Sequence, residues 1–253
     1  MGGHNGKNNC SNNMALIIGI NYIGTSNELY GCINDTLTLG NYLQNNKYVN
    51  KDKIIFMNDR LDKNNECYPS ADNIKNQLDK LIEYSWDFPD AKLFLSYSGH
   101  GHHIRDINGD EDDGWDEVLC PADFNNVGFI TDDYLCLRLR GLNPECKMFV
   151  IIDACHSGTM LDLADSQIPA QITMLSGCRD DQTSADAYIN NKHQGALTAL
   201  FVKSMNDNIT YKELMDNLYM YLVDGGYNQI PQLSTTYPLN LDEKVSITYF
   251  DDE

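Results

Sequence analysis

Residues 92–101, KLFLSYSGHG, and 147–158, KMFVIIDACHSG, decide the fold. Each opens with a short apolar, β-rich run and ends in a reactive side chain closely followed by glycine, His100 with Gly101 in the first and Cys155 with Gly158 in the second. Short, nearly continuous apolar runs of this kind read as strands buried on both faces, the habit of parallel sheets. Three more such runs lie at 14–20, 53–57 and 171–176. Between them the apolar residues recur at helical spacing over 35–44 (Leu37, Leu39, Leu43) and 71–84 (Ile74, Leu78, Leu81, Ile82). Two further helices are expected at 196–206 and 211–223, and a last strand at 229–236. Strand and helix alternate, which predicts an α/β fold: a three-layer α/β/α sandwich around a mostly parallel central sheet. An acidic excursion over 105–133 interrupts the alternation, with 117–120 and 127–131 expected to pair as a small hairpin.

In an open α/β sheet the ligand crevice lies beyond the carboxyl ends of the strands, which is where His100 and Cys155 both fall. A thiol is only a few per cent ionised at neutral pH, and an imidazole beside it can take its proton, so this pair suits acyl transfer. The N–H groups of Gly101 and Cys155 are candidates for an oxyanion hole. His102, His103 and His156 compete for the role of base but rank below His100, which has the better defined position. Taken singly, Cys155 reads as a small buried hydrophobe and His100 as a turn residue; their joint placement at strand ends weakens that reading. A serine hydrolase using Ser157 is disfavoured because no GxSxG elbow surrounds it.

Composition bounds what the chain does. Its 253 residues, 42% hydrophobic, suffice for one large domain. With 18 Lys and Arg against 37 Asp and Glu, the formal net charge of -19 repels nucleic acid and anionic membranes. No apolar run approaches the roughly 18 residues of a membrane helix. The cysteines (10, 32, 67, 120, 136, 146, 155 and 178) form no CxxC pair, so neither a zinc knuckle nor a disulfide framework is indicated. Residues 1–13, MGGHNGKNNCSNN, are read as a flexible tail without an apolar leader, and Gly6 stands where a myristoylation pattern wants Ser or Thr. The expected setting is reducing and cytoplasmic.

The motifs SGHG at 98–101 and DACHSG at 153–158 resemble the catalytic blocks of the metacaspases, caspase-like cysteine peptidases of clan CD. In family order the chain also carries GCIND (31–35), GDEDDGWDE (109–117), ITDD (130–133), SGCRDDQTSADA (176–187), GALT (195–198) and PQLS (231–234). The resemblance covers nearly the whole chain. It implies a single caspase-like domain over 14–253, with a larger block at about 14–165 and a smaller one at about 170–253. It implies an endopeptidase that cuts protein or peptide substrates after Arg or Lys, with Cys155 as nucleophile and His100 as base. An acidic specificity pocket would fall on Asp35 and Asp153, lined by Cys32 and Ser98, which suits a guanidinium because paired carboxylates hold it bidentately. Asp35 also reads as a helix N-cap. Asp181 and Gln182 would line the groove. A monomer is implied, and the net charge opposes casual self-association.

Calcium is the implied cofactor. Residues 106–133 hold eight Asp and two Glu with no Lys or Arg, a density that repels itself unless solvated or metal-bound. An EF-hand read from Asp106 fails at its turn, where Glu111 replaces the required glycine. The resemblance instead puts calcium on Asp116, Asp132, Asp133 and Asp162, with an expected dissociation constant on the order of 10⁻⁴ to 10⁻³ M. The chain departs from the family in lacking a proline-rich prodomain before Met14 and a long insertion between the blocks. The junction at 163–170, LADSQIPA, has no Lys or Arg, so activity is expected from the uncut chain. Arg179, Lys192 and Lys203 are later candidates for nicking, with Lys192 in the polar run 189–194 the most accessible. The rival reading is a calcium-responsive binding module whose peptidase activity is vestigial.

Overall fold

A computed structural model describes residues 12–106, 109, 114–154, 161, 163, 166–177, 186–189, 192–227, 230–245 and 247, with backbone only at 186–189 and 192–194. The first block runs β1 (Met14–Gly19), α1 (Cys32–Asn45), β2 (Ile54–Asn58), α2 (Ala71–Asp87) and β3 (Lys92–Ser98). The acidic excursion supplies β4 (Gly101–Arg105), β5 (Trp115–Leu119), α3 (Phe124–Val127), β6 (Ile130–Thr131) and α4 (Asp132–Leu139). After β7 (Lys147–Asp153) come β8 (Gln171–Ser176), β9 (Asp186–Ile189), β10 (Lys192–Gly195), α5 (Ala196–Ser204), α6 (Tyr211–Asp224) and β11 (Gln232–Thr235).

Among the described residues the central sheet has six strands in the order β11-β8-β7-β3-β1-β2. All pairs are parallel except the antiparallel edge strand β11. Its inner strands are apolar along both faces because both are covered. Leu16, Ile18, Leu93, Leu95, Tyr97, Val150 and Ile152 pack with Ile74, Leu78, Leu81 and Ile82 of α2 and Leu135 and Leu139 of α4. Their alternates Ala15, Ile17, Phe94, Phe149 and Ile151 pack with α1, α5 and α6. This is the predicted three-layer sandwich. From β1 the chain steps outward to β2, and from β3 it steps the other way to β7 and β8, so the connection order reverses between β1 and β3. A crevice opens beyond the carboxyl ends of strands at such a reversal.

Caps explain several boundaries. Ser70 accepts from Asn73 N at the start of α2, and Thr210 with Glu213 forms a reciprocal capping box at the start of α6. At α1 the N-cap is Gly31, and the side chain of Asn21 accepts from Ile33 N at 3.1 Å. Asp35 therefore lies inside the first turn and is not the cap that its sequence position suggested. The expected hairpin is a three-stranded antiparallel sheet, β4-β5-β6. Val127 ends the short α3, Gly128 turns the chain at φ 89°, and only Ile130 and Thr131 pair with β5. In the run at 189–194, Ile189 and Lys192 are register partners between the antiparallel strands β9 and β10. Within the junction at 163–170, Leu163, Ser166, Ile168 and Ala170 are buried, the apolar three in the α2/α4 core. No helix among the described residues is long and apolar enough to cross a membrane.

Candidate active site

The candidate base, His100, is built from below. His100 follows Ser98 and Gly99 at the end of β3, and two buried phenols support it. The Tyr97 hydroxyl donates to His100 O at 2.8 Å, while the Tyr22 hydroxyl donates to Cys120 O at 2.7 Å and accepts from His100 N at 2.9 Å. The two hydroxyls are themselves 3.1 Å apart. Burial pushes both phenols well above their ordinary pKa, so both stay protonated and keep donating. A Cβ on Gly99 would stand 2.7 Å from Tyr97 Oη and 2.9 Å from Tyr22 Oη, so this close approach needs glycine. Tyr22 holds φ at 52°, a costly conformation for a bulky residue, and its ring lies 4.6 Å from that of His100. His100 Nε2 sits 2.8 Å from Asn27 O. A carbonyl only accepts, so Nε2 carries the proton and Nδ1 is left as the basic nitrogen.

Cys155 lies outside the described residues, two positions beyond Asp153. His100 stands two positions beyond Ser98, which is the register partner of Asp153 in the β3–β7 ladder. Cys120 N donates to His100 O, making that pair hydrogen-bonded. Gly101, opposite Leu119, is then at a position whose N–H faces away from β5, on the open side of edge strand β4. That donor is unused by the ladder, as an oxyanion donor must be. His102 is exposed and His103 half-buried, both on β4, and His156 is outside the described residues. Among the other thiols, burial raises Cys146 to about 11, and burial followed by the Glu66 charge raises Cys67, so both are poor nucleophiles.

On the opposite face of the same strand ends, the four pocket residues come together. Asp35 is 1% and Asp153 5% exposed, and Cys32 and Ser98 are buried beside them. Ser98 pairs with both Gly19 and Asp153, and Gly19 lies against the carbonyl of Cys32. The Ser98 hydroxyl has no hydrogen-bond partner among the described residues. Gly195 N donates to both Asp35 oxygens at 3.0 and 3.1 Å. Thr198 donates to Asp153 Oδ2 through both N and Oγ1, each at 3.0 Å. The expected Asp181 and Gln182 lie outside the described residues.

The expected calcium ligands are placed in part. Asp116 and Asp132 are 7% and 3% exposed, Asp133 is exposed, and Asp162 is outside the described residues. Asp132 and Asp133 open α4, directly after β6, which pairs with β5 where Asp116 lies. One turn along α4, the Cys136 thiol donates to Leu161 O at 2.8 Å, bringing the chain next to Asp162 against the same helix. Buried carboxylate oxygens are the donors that a hard cation takes, so the donor chemistry fits calcium. Among the described residues, no group of three or more His, Cys, Asp or Glu is already assembled around a metal position.

Sequence reasoning misses Tyr22, Tyr97, Asn27 and Cys120, which hold His100, and it gives Gly195 and Thr198 no role. Only GALT, quoted as a motif, pointed towards the last two.

A parallel-sheet sandwich whose adjacent central strands β3 and β7 run in sequence into SGHG and DACHSG is that of a caspase-like cysteine peptidase. Residues 13–164 match the profile described as metacaspase, peptidase C14 domain, and the chain belongs to the metacaspase family. Metacaspase-1 of Meyerozyma guilliermondii is 34% identical, covering 92% of this chain and 72% of that protein. Metacaspase-1 of Pyricularia oryzae is also 34% identical (89% and 72%), and Metacaspase-1B of Aspergillus fumigatus 33% (90% and 70%). The first alignment runs over 298 positions against 253 residues here, so that relative carries insertions which this chain lacks. Among solved structures, Caspase-1 from Spodoptera frugiperda shares the fold at a TM-score of 0.60 and 13% identity, covering 93% of this chain and 91% of that one. A Geobacter sulfurreducens protein does so at 0.69 and 20%, covering 92% and 97%.

Proposed function

We propose that this metacaspase is a calcium-activated endopeptidase that cuts after Arg or Lys through a His100–Cys155 dyad, acting as an uncut, cytoplasmic monomer. The observation that carries the specificity is the convergence of Asp35 and Asp153, two buried carboxylates that both approach Gly195 at the strand ends. A forked guanidinium or an ammonium is the substrate group that two converging carboxylates favour, and the Ser98 hydroxyl offers it a further acceptor.

In the reaction, His100 Nδ1 takes the Cys155 Sγ proton and the thiolate adds to the scissile carbonyl. Gly101 N–H and Cys155 N–H face the developing oxyanion. The imidazolium returns its proton to the leaving amine, and water, deprotonated by the same nitrogen, releases the acyl group. Asp116, Asp132, Asp133 and Asp162 would hold calcium, whose contribution is to neutralise these acids and join the β5–β6 corner to the segment after Cys155. The junction at 163–170 has no basic residue, and most of its described residues are buried, which supports activity without cleavage.

The test is hydrolysis of fluorogenic peptides ending in Arg, Lys, citrulline or Asp, by wild type and Cys155→Ala, in chelator and in millimolar calcium. Calcium-dependent cleavage after Arg and Lys, absent in Cys155→Ala, is expected. Cleavage after Asp would overturn the acidic-pocket reading, and equal rates in chelator would remove calcium from it.

A further inference from the structure

We infer that the N-terminus of α5, through Gly195 and Thr198, is a specificity-determining element that positions the two pocket carboxylates; the inference rests on the basic specificity proposed above. Asp35 comes from α1 and Asp153 from the end of β7, and nothing in either element alone fixes the gap between their oxygens. Both are instead tied to one short segment. Gly195 N bonds to Asp35, and three residues later Thr198 N and Oγ1 bond to Asp153. These are first-turn donors of a nine-residue helix, which has no other intrahelical use for them. The positive end of that helix also favours two negative groups beside it.

Gly195 carries the argument furthest. Its backbone sits at φ -61° and ψ 133°, extended values that any residue adopts, so backbone conformation gives no reason for glycine here. Space does. A Cβ would collide with Asp153 Oδ2 and stand 2.9 Å from Asp35 Oδ2. The missing side chain is what lets both carboxylates close on one point. Thr198 then pins the Asp153 carboxylate: its N and Oγ1 both donate to Oδ2, which fixes where that carboxylate sits relative to Asp35. Because α5 starts where β10 ends, the pocket geometry is set by the smaller block although both acids belong to the larger one.

The experiment measures kcat and KM separately on matched Arg and citrulline peptides for wild type, Thr198→Val, Thr198→Ser and Gly195→Ala in the full chain. Each variant's melting curve is recorded alongside. Losing one hydrogen bond to a charged group predicts about a 10- to 100-fold loss of Arg-over-citrulline discrimination in Thr198→Val, expressed in KM. Thr198→Ser restores the donor and should return discrimination to within about threefold of wild type. Gly195→Ala, with no backbone penalty, should lose discrimination at least as far as Thr198→Val. A fall in kcat at unchanged KM, or equal losses on both peptides, overturns the inference. So does unchanged discrimination in Gly195→Ala, the readout that stands if Thr198→Val does not fold. A wild type that fails to prefer Arg over citrulline overturns the basic-specificity reading itself, before any variant is compared.

Discussion

Along the end of β3, consecutive side chains point to opposite faces and serve different halves of the site. Tyr97 faces α2 and α4, where with Tyr22 it carries the backbone of His100. Ser98 faces α1 and α5, where with Asp153 it closes the pocket. The proposed base is held by neutral hydroxyls and a carbonyl, and the proposed pocket by two peptide N–H groups and the Thr198 hydroxyl, all aimed at carboxylates. Under the proposed roles, the contrast means that turnover and substrate choice rest on separate supports one residue apart. Damage to one should leave the other's signature intact.

The sharpest break is His100→Ala. Removing a general base costs about 10²- to 10⁴-fold in kcat, and KM for the Arg peptide should stay within about threefold. Single-turnover kinetics at saturating peptide would check this, and a large KM change would merge the two halves. A milder break is Tyr22→Phe, which removes the acceptor of His100 N while leaving the ring in place; Cys120 O keeps the Tyr97 hydroxyl at 3.0 Å. About 1–2 kcal/mol per buried orphan predicts roughly a tenfold fall in kcat with Arg-over-citrulline discrimination unchanged. Steady-state kinetics on the two peptides would read it, and a shift in discrimination would mean that the cradle also shapes the pocket. The smallest effect is expected away from both, in Thr210→Ala at the start of α6. Loss of the capping box should cost about 1 kcal/mol and lower Tm by roughly 2–4 °C without altering kcat or KM. Calorimetry beside a rate assay would separate this global loosening from either local effect.

The central sheet is legible in the sequence because two-sided burial writes itself as unbroken apolar runs, and 171–176 matches β8 residue for residue. Elements that rest on long-range pairing are not. The strand β4, which carries His102 and His103, is one of them: its partner β5 is ten or more residues away. The α4 helix hides because Asp132, Asp133 and Arg138 interrupt its short apolar stripe. At the site, Asp35, Asp153, Cys32 and Ser98 could be named in advance through family motifs, but not what holds them. Tyr22 and Asn27 act through a hydroxyl and a backbone carbonyl across more than seventy residues, and no local pattern encodes such a contact.

The pairing of β7 with β8 joins the two blocks from Lys147–Gln171 to Ile152–Ser176 inside one sheet, with both faces covered. A break in the backbone between those strands would leave that ladder and its side-chain packing in place. The fragments would remain zipped together and travel as one particle under native conditions, parting only in denaturant. For this molecule, hydrodynamic size is thus blind to proteolytic history, and a nicked sample and an intact one share the same radius.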